Sequence, residues 1–113
     1  MYMVKDKAER IIEARTRLAR QVPDPAIALA GSLMERMIRC NKPGCRYCEK
    51  GKGHGPIWIL SFGVGNRRVR QIPVPAHLKR EVEEGVRRYA EIQKCLKRIS
   101  SLSVDLLEER KKR

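Results

Sequence analysis

Apolar residues recur at three- and four-residue steps through the first 22 positions, at Val4, Ala8, Ile11, Ile12, Leu18, Ala19 and Val22. That spacing predicts an amphipathic helix over residues 1–22. Pro23 and Pro25 end it. The stretch Asp24-Pro25-Ala26-Ile27-Ala28-Leu29-Ala30 reads either as a short helix capped by Asp24 or as an apolar connector, and Gly31 punctuates it. Leu33, Met34, Met37 and Ile38 fit a strand or a helix by period alone. Their position just before a cysteine cluster favours a strand.

Residues 40–56 hold three cysteines, four glycines and two prolines, which is loop composition. Ile57-Trp58-Ile59-Leu60-Ser61-Phe62 is strand-like, Gly63-Val64-Gly65-Asn66 reads as a four-residue hairpin connection, and Arg67 to Ile72 returns as the next strand. Alternation puts Val69 and Gln71 on one face and Arg68 and Arg70 together on the other. Pro73 and Pro75 close the sheet. From His77 onward, Leu78, Val82, Gly85, Tyr89, Ile92, Leu96, Ile99, Ser103 and Leu106 alternate four- and three-residue steps. This is a heptad seam on a long helix, weakened by Gly85 and Ser103 and broken, if anywhere, at Ser100-Ser101. Its apolar stripe needs cover from the N-terminal helix, a second chain, or both. A coiled-coil homodimer is the favoured solution.

The expected fold class is therefore α+β: an N-terminal helix, a small antiparallel sheet of about three strands with a zinc-binding loop, and a long C-terminal helix. A chain of 113 residues fits a single domain. Its parts are residues 1–22, 32–73 and 76–113.

Only five residues are aromatic, Tyr2, Tyr47, Trp58, Phe62 and Tyr89, so the core is short of large side chains and a metal or partner is expected to supplement it. Cys40-x4-Cys45-x2-Cys48-x5-His54 supplies it. Thiolate and imidazole are the donors zinc prefers, four of them complete a tetrahedron, and short spacings let one loop wrap the ion. Pro43-Gly44 supplies the turn before Cys45. No acidic residue is placed as a general base, so the predicted site is structural, with Cys40, Cys45, Cys48 and His54 as ligands. Adding Cys95 instead matches a plant-type iron–sulfur spacing, with Cys95 rather than His54 as fourth ligand. Cys95 beside Ile92 and Ile99 reads better as a small buried group. His77 reads as a surface or capping side chain.

Charge changes the picture next. The chain carries 26 Lys+Arg against 13 Asp+Glu, a net charge of +13. Residues 36–72 hold nine basic side chains and one acidic, Glu49, a net of +8, while both ends mix the two signs. A run of one sign needs a counter-charge, most often a polyphosphate backbone. The predicted nucleic-acid contacts are Arg39, Lys42, Arg46, Tyr47, Lys50, Lys52, Arg67, Arg68 and Arg70. Tyr47 is the stacking candidate, whereas Trp58 and Phe62 read as core. Arg68 and Arg70 on a two-stranded ribbon are best placed to reach bases in a major groove. The expected function is zinc-stabilised nucleic-acid binding, with duplex DNA favoured over RNA. The alternative is a dimeric adaptor whose basic head binds an acidic protein.

No nucleophile is paired with a base and no carboxylate pair lies in the basic segment, so the chain is not expected to be an enzyme. No apolar run approaches the roughly 20 residues of a membrane span and no signal-peptide pattern opens the chain, which predicts a cytoplasmic protein without membrane attachment.

From Gly31-Ser32-Leu33, through Cys40-Asn41-Lys42-Pro43-Gly44-Cys45-Arg46, to His54-Gly55-Pro56 and Trp58, the chain resembles a family of small uncharacterised prokaryotic proteins. Many of these are encoded near transposases. Their pattern also has a helix before the glycine and a long helix after the hairpin, so the resemblance spans most of the chain. The family usually places one residue between its last two cysteines, where Arg46-Tyr47 makes two here. The resemblance implies the architecture and a mobile-element setting, and it brings no activity with it.

Overall fold

The computed structural model describes residues 5–40, 43–46, 51 and 53–112. Helix α1 (Lys7–Arg20) begins where Asp6 caps it, the carboxylate accepting from the Glu9 amide at 2.8 Å, and closes with the Gln21 amide on the Leu18 carbonyl. The helix begins at Lys7 and ends two residues short of the expected Val22; residues 1–4, Val4 among them, fall outside the described residues. Asp24 opens only one 3-10 turn, Pro25–Ile27, by accepting from the Ala26 amide at 3.0 Å.

The sheet is antiparallel with strand order β1-β2-β3: β1 (Ser32–Ile38), β2 (His54–Gly65) and β3 (Arg68–Val74). The expected strand before the cysteines is present. β2 is longer than expected at both ends. His54, Gly55 and Pro56, read from composition as loop, join the sheet because Ile38 pairs with His54 across a bulge in β2, where Gly55 and Pro56 stand opposite Met37. β3 runs through Pro73, which pairs with Ile59; an edge strand tolerates a residue with no amide proton.

The hairpin between β2 and β3 closes on a two-residue turn, Asn66-Arg67, with Gly65 paired to Arg68, and not on the four-residue loop expected. Both turn residues have positive φ, 49° and 60°, as the mirror-image turns that match strand twist require. Asparagine suits this region and arginine does not. A left-handed arginine costs about 1–2 kcal/mol, against which a glycine there loses about 0.5–1 kcal/mol of backbone entropy. Arg67→Gly should therefore raise stability by about 0.5–1 kcal/mol, read as a higher denaturation midpoint in urea.

Helix α2 (Lys79–Lys111) is continuous through Ser100 and Ser101 and follows a 3-10 turn at Ala76–Leu78, so it starts two residues later than expected. Its 33 residues make it about 50 Å long. No helix among the described residues is long and apolar enough to cross a membrane.

The chain divides into two compact units that share α2. The helical unit comprises the N-terminal residues up to Ala26 and those from Arg88 onward. There α1 and α2 run antiparallel: Lys7 reaches Glu109 at 3.8 Å, Arg15 donates to the Ser103 hydroxyl at 3.2 Å, and Arg88 donates to the Asp24 carbonyl at 3.0 Å. Among the described residues Ile11 and Leu106 are its buried aliphatics. Part of the α2 stripe is thus covered within the chain. The heptad seam does not hold throughout, because Leu96 is 53% exposed while Ile92, Cys95, Ile99 and Leu102 are half-buried. A straight α-helix drifts about 20° per heptad against a 3.5-residue repeat, so the stripe turns away from its neighbour.

The sheet unit spans Ile27–Arg87. Among the described residues Ile59, Leu60 and Val74 are its buried hydrophobic side chains. Trp58 and Phe62, read as core, are each half-buried, and the Lys79 ammonium lies 4.0 Å from the Trp58 ring centre. The connector after the 3-10 turn ties to α2 through the Leu29 amide, which donates to the Gly85 carbonyl at 3.0 Å.

Candidate metal centre and basic surface

Cys40 follows β1 by two residues, Cys45 follows the Pro43-Gly44 turn, and His54 opens β2. Because Ile38 and His54 are register partners, the end of β1 and the start of β2 deliver Cys40 and His54 to one place. Gly53 makes this approach feasible. Its φ is +97°, and a Cβ there would lie 2.7 Å from the Ile38 carbonyl oxygen. Any larger residue would clash with the backbone at the end of β1 and hold a strained positive φ.

The His54 Nε2 atom lies 3.1 Å from the Cys40 Sγ and 3.1 Å from the Cys45 Sγ. The three donor atoms sit within 4.8 Å of one another, and all three side chains are half-buried. Zinc–sulfur and zinc–nitrogen bonds of about 2.3 and 2.0 Å at a tetrahedral angle separate sulfur from nitrogen by about 3.6 Å. The observed spacing is close to that, so two thiols and one imidazole are assembled as a metal-type group. The three residues could hold a metal ion. Cys48 lies outside the described residues. Cys95 is half-buried on α2 and belongs to no such group among the described residues. His77 is an exposed side chain of the 3-10 turn before α2.

Of the nucleic-acid candidates, Arg39, Arg46, Arg67, Arg68 and Arg70 are described and all are exposed; Lys42, Tyr47, Lys50 and Lys52 lie outside the described residues. Arg70 pairs with Phe62 and Arg68 with Gly65, so these two arginines occupy the hairpin end of β2 and share a sheet face with Ile72 and Val74. Arg39 and Arg46 flank the Cys/His group at the other end. At about 3.3 Å per residue, the eight steps from His54 to Phe62 separate the two ends by roughly 25 Å. Strand register therefore distributes the charge along the sheet, an arrangement the one-sign run in sequence does not convey.

The ion pairs among the described residues all involve helices or their flanks: Lys5 with Glu13, Lys7 and Lys112 with Glu109, and Lys79 with Glu83. None engages Arg36, Arg46, Arg67, Arg68 or Arg70.

A helix, a three-stranded antiparallel sheet and a long helix, with two thiols and an imidazole converging at one end of the sheet, define a small α+β protein with a metal-type group beside its sheet. The chain belongs to the family described as Domain of unknown function (DUF6788), whose model matches residues 8–84. The match therefore takes in most of α1, the whole sheet, the Cys/His group and the first turn of α2. Comparison with curated proteins and with solved structures gives no match.

Proposed function

We propose that the protein is a zinc-stabilised nucleic-acid-binding module that grips duplex DNA along its sheet. The observation that carries this reading is the row of exposed arginines on the sheet unit, with no ion pair to Arg36, Arg46, Arg67, Arg68 or Arg70 among the described residues. Such cations repel one another and gain most from a partner of dense negative charge; a phosphate backbone supplies one charge every few ångströms. Cys40, Cys45 and His54, with Cys48 as the fourth donor by spacing, would hold zinc as a closed structural site. Its role is to clamp the end of β1 to the start of β2, so that the arginines at both ends keep their separation. Roughly 25 Å corresponds to about seven base-pair steps. The β2–β3 ribbon, tipped by Arg67 with Arg68 and Arg70 behind it, has the width a major groove admits. The resemblance to proteins encoded near transposases supports a mobile element as the setting.

The test is fluorescence anisotropy with labelled duplex DNA, single-stranded DNA and RNA, titrated across salt. With about six phosphate contacts, duplex binding should be submicromolar with a log–log salt slope of about −5. Reversing both Arg68→Glu and Arg70→Glu should weaken binding and bring the slope to about −3, since each lost phosphate contact removes about one unit. Weak, equal binding to all three polymers that vanishes by physiological salt would overturn the reading. The basic surface would then belong to an acidic protein partner.

A further inference from the structure

We infer that the outer face of α2 is a self-association surface on which two chains pair antiparallel. Leu96, Val104 and Leu107 are 53%, 54% and 58% exposed, in the half of α2 that already packs on α1. At roughly 100° per residue these three and Ser100 fall within an arc of about 80°, beside the covered stripe of Ile92, Ile99 and Leu106. The face is apolar at both ends and has a small residue at its middle, where a second helix can approach closely.

Charge identifies the occupant. Lys94 and Lys97 precede the middle of this face, and Asp105 and Glu108 follow it; all four are exposed, and no ion pair among the described residues engages them. Lys97 and Glu108 lie on the same flank of the face. When two copies of the helix cross antiparallel about a point between Ser100 and Val104, Leu96 of each meets Leu107 of the other. Lys97 then meets Glu108, twice by symmetry. In a parallel pair each charge would face the partner's opposite flank, which holds Ile92 and Ile99, so the match would be lost. Antiparallel helices also set opposite ends of their dipoles together. The occupant is therefore a second copy of this chain.

The experiment is sedimentation equilibrium of the full chain at an ionic strength of about 0.3 M, where the repulsion between two chains of +13 is screened within several ångströms. A monomer–dimer equilibrium in the micromolar range is expected. Lys97→Glu and Glu108→Lys should each weaken it about tenfold or more, and the double swap should return it to within about threefold of the original. Leu96→Asp with Leu107→Asp should abolish it at an unchanged helical circular dichroism signal. A chain that stays monomeric at all concentrations overturns the proposal, as does a dimer indifferent to these substitutions. A double swap that fails to restore association overturns the antiparallel pairing. None of these results depends on nucleic-acid binding.

Discussion

Removal of the metal with a strong chelator should unfold the sheet, and added zinc should restore it. The sheet unit has three buried aliphatic residues, Ile59, Leu60 and Val74, and no described side chain in the chain is fully enclosed. At about 25 cal/mol per Å² of apolar surface, so few buried aliphatic residues leave little surplus over the conformational entropy of ordering a sheet. A structural zinc site contributes about 10–16 kcal/mol of apparent binding free energy at neutral pH, comparable to the whole stability of a small domain. Two of the three assembled donors flank the β1–β2 pairing directly, so their loss releases the bulged end of the sheet at Ile38 and His54. The expected result is a melting temperature that rises with zinc concentration and loss of the cooperative transition in chelator. Cobalt should give a tetrahedral thiolate spectrum that Cys45→Ser and His54→Ala each abolish. An unchanged melting curve in chelator, with no cobalt spectrum, would show that the group is a hydrogen-bonded trio of side chains and not a metal centre.

Gly85→Ala should destabilise the protein by about 1–2 kcal/mol, and Gly85→Val by about 3 kcal/mol or more, although Gly85 sits inside a helix. On an open helix face the alanine change would stabilise by about 1 kcal/mol, because glycine is the poorer helix former. Here a Cβ would stand 2.8 Å from the Ile27 carbonyl oxygen and 3.0 Å from the Leu29 Cβ. Two backbone segments meet at this point, joined by the Leu29 amide on the Gly85 carbonyl, so neither can yield without breaking that bond. The steric term therefore exceeds the propensity term and reverses the sign. Gly63→Ala is the control: no atom lies within 4 Å of its added Cβ, and its stability should change little. Chemical denaturation of the three variants decides the matter, and a stabilised Gly85→Ala would mean that the connector is not anchored there.

Gly85 also shows what a hydrophobic period leaves undetermined. In the heptad pattern it is a weak member of an apolar seam. In the structure it is a buried contact between α2 and a connector more than fifty residues earlier. Leu96 is the converse, a full member of the seam by spacing and yet 53% exposed. Period tells which residues share a helix face, but it does not tell how much of that face a neighbour covers. Likewise Pro73 and His54 each carry local signals that end or exclude a strand. Their cross-strand pairing with Ile59 and Ile38 overrides those signals.

The metal-type group was legible for the opposite reason. Cys40, Cys45 and His54 fall within fifteen positions, the donor chemistry is particular to few residue types, and short loops leave few ways to arrange them. The strand preceding the cysteines, the ribbon carrying Arg68 and Arg70, and the long final helix were legible too, because periods of two and of about 3.6 are local properties of the chain. The missed features depend on which segments the fold brings against one another. The exposed row on α2, the close approaches at Gly53 and Gly85, and the spread of arginines over roughly 25 Å could not be read beforehand.

By itself, then, the amino-acid order determined the kinds of element, their succession, the donor set of the metal-type group and the one-signed charge of the middle third. These depend on neighbours a few residues apart. Tertiary structure alone decided how far apart along the sheet the arginines stand, which glycines must be glycine, and which apolar residues of α2 stay uncovered. Those outcomes turn on strand register and on how much of the α2 stripe its neighbour covers. Both compare residues that only folding brings side by side.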